Sequence, residues 1–268
     1  MYSKFRIKDN SFNAISFDVG DKLKGSSLAT NFKKQVKKRL DLKFKDGEII
    51  DGTATMEEWF PQIKCDIFLS HSHKDLKRAK EFSGWLKNKF GLDVFIDSNI
   101  WGNINDLLKS IDNEYCYNKK SKTYSYEKRN ITTSHVHMML INALAEMMDK
   151  TECLMFLETP NSIKLKKMLH EVETASPWIY SELALSKLIK TKKPERYSQK
   201  IIAKERMFSL SESKSREIEI SYKTDISHLI ELSGNDLSNW KNFHESITQF
   251  IDNPLDILYA LKIKENGK

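Results

Sequence analysis

The strongest candidates for catalytic side chains in this chain are a tryptophan and a glutamate one helical turn apart. They are Trp178 and Glu182, in the stretch SPWIYSELALSKL at residues 176–188. Residues four apart on a helix share a face, so the indole and the carboxylate are expected to be neighbours. A carboxylate partly removed from water can have a raised pKa, an arrangement that active sites use. The alternative is a solvated surface glutamate beside a core tryptophan, which residue frequencies alone favour.

The helix that carries this pair is predicted to begin at Pro177. Ser176 is a residue type that caps helix N-termini, and proline suits the first helical position. The apolar residues after Glu182 can form a buried stripe, and Glu182 then lies near its edge. The stripe consists of Leu183, Leu185, Leu188 and Ile189.

Short apolar runs alternate with amphipathic segments through the middle of the chain. The runs are CDIFLS (65–70), LDVFID (92–97) and ECLMFLE (152–158); helical spacing of apolar residues occurs at 76–90, 104–111 and 137–150. This alternation predicts an α/β fold with a parallel sheet covered by helices on both faces. We interpret residues 1–60 as an N-terminal extension, 61–225 as the domain with an aperiodic insertion at 112–134, and 226–268 as a helical tail packed on the domain. Weaker signals place further strands at 199–208 and 217–222, and helices at 236–251 and from Pro254.

Ligands of open parallel sheets bind beyond the carboxyl ends of the strands, where the strand order reverses. This rule selects the polar and aromatic residues that follow the three runs, with Glu158, Thr159 and Asn161 after the third, and those after the first two runs are the candidates for binding a substrate. They are Ser70, His71 and His73 after the first run, and Asp97, Ser98 and Trp101 after the second.

The composition describes a charged protein with no evident membrane segment. The net charge is +7, which favours anionic partners, although lysine clusters such as 33–40 and 190–196 are more commonly solvated faces. No run approaches the roughly 18 apolar residues that span a bilayer, and the N-terminus lacks the apolar core of a secretory signal. Three widely spaced cysteines indicate reduced thiols, so we expect a cytoplasmic protein.

The chain contains two other candidate sites. The histidine pairs 71/73 and 135/137 are each two residues apart, which matches no common metal motif, so no metal is predicted. The Tyr- and Lys-rich segment 115–129 could bind nucleic acid, but an exposed insertion more commonly forms a contact surface or covers a site. We therefore expect no nucleic-acid partner.

Four segments taken together resemble a Toll/interleukin-1 receptor (TIR) domain. CDIFLSHSHKD, LDVFIDSNIWG, ECLMFLETPNS and SPWIYSELALSKLI occur in the order that this family has, over residues 63–190. The resemblance implies a flavodoxin-like, five-stranded parallel sheet. It also implies that Glu182 is the catalytic glutamate, that Trp178 is its aromatic partner, and that the loops at 70–73 and 97–101 shape the substrate cleft. The insertion at 112–134 and the two terminal segments depart from the family pattern.

The resemblance further implies an enzyme that takes NAD+ as a substrate, with no additional cofactor, and cleaves its nicotinamide–ribose bond. The product would be ADP-ribose if water captures the ribose, or a cyclic form if a nucleophile within the substrate does. Similar proteins in bacterial anti-phage systems such as Thoeris make a cyclic ADP-ribose-type signal that activates a separate effector. TIR enzymes commonly act when assembled, so self-association through the second-strand loop is expected. The alternative is a non-catalytic TIR adaptor that acts by TIR–TIR assembly.

Overall fold

The computed structural model describes residues 1–36, 44–45, 49–97, 101, 104–166, 171–197, 221–247 and 252–262. Its centre is a five-stranded sheet in which every pairing is parallel. The strands are β1 (Ser3–Lys8), β2 (Ile67–Ser70), β3 (Val94–Phe95), β4 (Cys153–Glu158) and β5 (Ile230–Leu232), and their spatial order is β5-β1-β4-β2-β3. The predicted α/β architecture with a five-stranded parallel sheet is thus confirmed, and it is compatible with a flavodoxin-like fold.

Eight α-helices are described in these parts of the chain. They are α1 (Val19–Val36), α2 (Gly52–Trp59), α3 (Leu76–Phe90), α4 (Ile104–Ile111), α5 (Tyr126–Lys150), α6 (Pro177–Leu188), α7 (Gly234–Ile247) and α8 (Pro254–Lys262). Small antiparallel pairings lie outside the main sheet, at Phe44–Lys45 with Ile49–Ile50, at Tyr117–Asn118 with Thr123–Tyr124, and among Lys164–Lys166, Glu171–Thr174 and Tyr222–Lys223. No described helix is both long enough and apolar enough to cross a membrane.

The sheet separates two hydrophobic cores. On the first face, α3, α7 and α8 cover the sheet, and α1 packs outside on α3. On the second face, α2, α4, α5 and α6 form the cover. Strand β2 shows the alternation: Ile67 and Leu69 enter the first core and Phe68 enters the second. Strands buried on both faces read as continuous apolar runs, which is why 65–70, 92–97 and 152–158 were recognisable.

Most predicted elements are present. Helix α3 ends at Gly91, whose φ of 72° is the left-handed conformation that glycine adopts without strain. The predicted helices at 104–111, 236–251 and from Pro254 correspond to α4, α7 and α8. The strand predicted at 199–208 lies outside the described residues, as does most of the one at 217–222, of which Tyr222 joins a small antiparallel sheet.

The insertion is more regular than its composition predicted. A π-helical turn at Asp112–Cys116 and a short hairpin precede α5, which begins at Tyr126 and not near His137. The physical reason is a local cap: the Ser125 hydroxyl accepts a hydrogen bond from the Lys128 N–H at 3.4 Å. Because a single capping side chain fixes where the helix begins, the Tyr- and Lys-rich sequence around it shows no periodicity that would predict the first turns of α5.

Residues 3–8, which lie in the predicted N-terminal extension, form β1 inside the sheet. Strand β1 lies between β4 and β5, with Phe5 opposite Met155 on one side and Ile230 on the other. Counting from β2, the strands β3, β2 and β4 have the order 2-1-3 of flavodoxin-like sheets. The next position in the sheet, beside β4, is occupied by β1, which comes before these three strands in the chain.

Candidate functional site

A crevice is expected where β2 and β4 end side by side. Helix α3, which follows β2, packs on the first face of the sheet, and α6, which follows β4, packs on the second. The connections that leave these two neighbouring strands therefore diverge, and open α/β sheets bind ligands at such points. Helix α6 starts as predicted, with the Ser176 hydroxyl accepting a hydrogen bond from the Ile179 N–H at 3.3 Å and proline at its first position.

Glu182 of α6 is buried against the end of β2. The residue is only 3% exposed, and the Ser70 hydroxyl donates a hydrogen bond to Glu182 Oε2. Ser70 is the last residue of β2 and lies on the same face as Phe68, the face that α6 covers. No lysine, arginine or histidine forms an ion pair with Glu182 among the described residues, although buried glutamates usually have such a partner.

This environment raises the pKa of Glu182 well above its ordinary value. Burial is the main cause, since a carboxylate loses its hydration in the interior. The negative charge of Asp97 raises the pKa further, whereas the hydrogen bond from Ser70 lowers it. Among the described residues the carboxyl group therefore has no compensating positive charge, and a cation placed beside it would favour its ionised form.

His71 and Asp97 complete the cluster at this edge. His71 is buried, and its Nδ1 lies 3.3 Å from the Leu69 carbonyl oxygen and 4.0 Å from Asp97 Oδ1. Burial lowers the pKa of His71, and the charge of Asp97 opposes this effect. The neutral tautomer with its proton on Nδ1 can donate to the Leu69 carbonyl oxygen, because a carbonyl oxygen only accepts hydrogen bonds.

Asp75 joins the loop after β2 to the loop after β4. Its carboxylate accepts hydrogen bonds from the Thr159 hydroxyl at 2.5 Å and from the Asn161 side-chain amide at 2.8 Å. Asp75 follows β2, whereas Thr159 and Asn161 follow β4. Asp75 occupies the N-cap position of α3, where an aspartate commonly caps the helix, yet its side chain forms no such cap here.

The aromatic candidate Trp178 lies at the start of α6 and is partly exposed. Its ring meets the His137 ring of α5 at a centroid distance of 5.4 Å and an interplanar angle of 78°. His73 is exposed, with its ring 6.4 Å from that of His71. Ser98, another candidate, lies outside the described residues.

Trp101 is placed in the second core. Its indole N–H donates to the Pro61 carbonyl oxygen at 3.2 Å, and its ring packs edge-on against Phe60 and Phe95. The structure therefore brings together Ser70, His71, Asp97 and Glu182, while the Trp101 indole is occupied by protein contacts. No group of three or more metal-binding side chains occurs within the described ranges.

No protein-family model, curated protein sequence or solved structure matches the chain.

The chemistry of the cluster follows from its charges. Two carboxyl groups, one of them buried, stand beside a neutral imidazole and a hydroxyl that is already a donor to Glu182. Such a set can stabilise positive charge on a bound substrate, and the buried carboxylate can accept a proton from water. Ser70 is 1% exposed, which leaves its hydroxyl poorly placed to attack a substrate.

Proposed function

We propose that this protein is a TIR-type enzyme that cleaves NAD+ at the bond between nicotinamide and ribose. The observation that carries the proposal is the buried carboxyl of Glu182, which has no cationic partner among the described residues and lies beside Asp97 at the carboxyl edge of a parallel sheet. The order of the motifs around Ser70, Asp97 and Glu182 supports the family assignment.

The reaction requires what this cluster offers. The C1′–N bond breaks, and its electron pair moves to the nicotinamide nitrogen, which neutralises the ring charge. The ribose becomes oxocarbenium-like, as in glycoside hydrolysis. Because nicotinamide leaves as a neutral group, no strong general acid is needed. Ionised Glu182 and Asp97 would stabilise the positive charge that develops at C1′.

The cationic nicotinamide ring would supply the positive partner that Glu182 does not have among the described residues. A positive charge beside Glu182 lowers the pKa of that carboxyl towards its ordinary value. Binding of NAD+ would then ionise the group at the moment when its charge is useful. The partly exposed Trp178 indole, one turn earlier on α6, offers a flat face for stacking nicotinamide or adenine.

The capture step decides the product. When water attacks C1′, its proton passes to the Glu182 carboxylate and ADP-ribose forms. When a nitrogen or hydroxyl of the same substrate attacks, the product is cyclic. We propose the cyclic, ADP-ribose-type product, which would act as a diffusible signal to a separate effector in bacterial anti-phage defence; the TIR resemblance supports this part.

The test is to incubate the protein with NAD+ and to follow nicotinamide and the adenine-containing product by chromatography and mass spectrometry. Glu182→Gln keeps the size and hydrogen bonding of the side chain but cannot ionise. We expect its rate of release to fall by about 10²–10⁴-fold, the size typical of a lost catalytic acid or base. Glu57→Gln, at an exposed position of α2, is the matched control and should keep the wild-type rate.

Two outcomes would contradict the proposal. Equal rates in Glu182→Gln and wild type would show that Glu182 is not the catalytic group. No release by the wild type over a wide range of protein concentrations would favour an adaptor that works by assembly alone. We propose self-association of the enzyme through the loop after β3, so the rate per molecule should rise with protein concentration.

A further inference from the structure

A cavity of about 620 Å³ opens on the second face of the sheet, at the carboxyl ends of β1 and β4. It is separate from the Glu182 cluster, because Glu182 contacts β2, and β4 lies between β2 and β1. Its volume is within the range of roughly 300–1,000 Å³ that is common for small-molecule sites. Its lining includes Arg6, Lys8, Lys223, Asp225, Ser227 and Ile226.

The floor of this cavity carries two basic side chains, Arg6 and Lys8, because of the alternation in β1. Phe5 and Ile7 enter the first core, so Arg6 and Lys8 point to the second face. Arg6 is held by two carboxylates, through Nη1 to Glu158 at 3.0 Å and through Nη2 to Glu231 at 2.8 Å. Its Nε, which is buried, has no hydrogen-bond acceptor among the described residues.

A fixed guanidinium with a remaining buried donor is well suited to a phosphate oxygen. Lys8 reaches Glu231 at 2.9 Å, close to the same guanidinium. The lining residues include three cations, Arg6, Lys8 and Lys223, and two acids, Glu158 and Asp225. Glu231 pairs with Arg6 and Lys8, and Lys187 pairs with Asp225, so the charges around the cavity nearly balance. Such a balance suits a single phosphate better than a chain of three.

The opposite wall offers different chemistry. Ile226 and Leu229 are buried residues of the second core that also line the cavity. Ser227 and Asp225 add a hydroxyl and a carboxylate, which suit the hydroxyls of a ribose. Apolar side chains suit a planar base, so phosphate, sugar and base each have a complementary part of the wall.

We infer that this cavity binds a nucleoside monophosphate. The site is independent of NAD+ cleavage, since none of its lining residues belongs to the Glu182 cluster. Its wall is nevertheless attached to α6: Lys187 pairs with Asp225 at 2.6 Å, and the Tyr180 ring stacks on Tyr222 at 4.6 Å between centroids.

The experiment is isothermal titration calorimetry of the full chain with AMP, with adenosine and with inorganic phosphate. We expect one AMP site and much weaker binding of the two fragments. Lys8→Ala and Lys223→Ala should each weaken AMP at least about tenfold, the size expected for a lost charged hydrogen bond. Lys119→Ala, on the exposed hairpin before α5, is the control and should leave the affinity unchanged.

Two further variants locate the ligand. Ser227→Trp fills the cavity from an exposed position and should abolish AMP binding while thermal unfolding stays that of a folded protein. Glu182→Gln should leave AMP binding unchanged. Absence of AMP binding to the wild type at millimolar concentration would overturn the inference, as would inorganic phosphate binding as tightly as AMP. Binding that Glu182→Gln removes and Ser227→Trp retains would overturn it by placing AMP in the other crevice.

Discussion

Replacing Glu182 with glutamine should stabilise the protein, by an amount that grows as the pH rises. In the unfolded chain this carboxyl loses its proton near its ordinary pKa of 4.5, whereas in the fold its pKa is raised by burial and by Asp97. Below pH 4.5 both states hold the proton, so the group does not affect the pH dependence. Above that value the unfolded state releases its proton first, and the stability of the wild type declines until the pH reaches the raised pKa.

The size of the effect follows from proton linkage. One proton released by the unfolded state alone costs about 1.4 kcal/mol of stability for each pH unit. For a chain of this size, 1 kcal/mol corresponds to about 2–4 °C in the unfolding temperature. Glutamine cannot ionise, and its side-chain oxygen can still accept the hydrogen bond from Ser70. The difference between the unfolding temperatures of Glu182→Gln and the wild type should therefore grow in favour of the variant by about 3–6 °C for each pH unit, from pH 4.5 up to the raised pKa of Glu182.

The assay is thermal unfolding of both proteins, followed by circular dichroism in closely spaced buffers from pH 4 upwards. Glu57→Gln, at an exposed position, should stay within about 0.5 kcal/mol of the wild type throughout. A difference between Glu182→Gln and wild type that does not change with pH would refute the reasoning. So would a glutamine variant that becomes relatively less stable as the pH rises.

Three further predictions follow from other contacts. Asp97→Asn removes a charge that raises the pKa of Glu182. When Glu182→Gln is made in the Asp97→Asn protein, its gain in unfolding temperature should therefore stop growing at a lower pH than it does in the wild type. An unchanged pH range would contradict the coupling between the two carboxyl groups. Gly84→Ala places a Cβ 1.9 Å from the Asp21 carbonyl oxygen, so urea unfolding should show a loss of at least about 1–3 kcal/mol, and an unchanged midpoint would exclude the close α1–α3 contact. Partial burial raises the pKa of the Cys65 thiol to about 12, so at pH 8 it should react slowly with Ellman's reagent until urea unfolds the chain, and rapid reaction of the native protein would contradict the raised pKa.

The sequence was most informative where the controlling interactions are local. Helix α6 begins where a capping serine and a first-turn proline predict it, and this placed Trp178 and Glu182 correctly along the chain. The parallel-sheet rule then brought Ser70 and Asp97 to the right edge. That Ser70 would be the group bonded to Glu182 depends on how α6 packs on β2, which no local pattern encodes.

Trp101 and β1 show the limits of patterns. A tryptophan after a strand suits both a cleft wall and a core, and the contacts with Phe60 and Phe95 that decide between them come from elsewhere in the chain. Strand β1 carries Arg6 in the interior of a sheet, which is tolerable because Glu158 and Glu231 lie on the neighbouring strands. Charged residues on one face interrupt the continuous apolar run that is typical of a buried strand, so the strand cannot be predicted until their partners are known.

The position of β1 also bears on how the chain reaches its fold. Ser3 pairs with Cys153 and Phe5 with Ile230, so β1 depends on strands that come far later in the sequence. Closing such long loops before any contact is gained slows folding, and parallel pairing over long separations is among the slowest kinds. During synthesis Phe5 and Ile7 would leave the ribosome long before β4 and β5 exist to cover them. We expect completion of the sheet to be a late event in folding, and the growing chain to need protection from association until then.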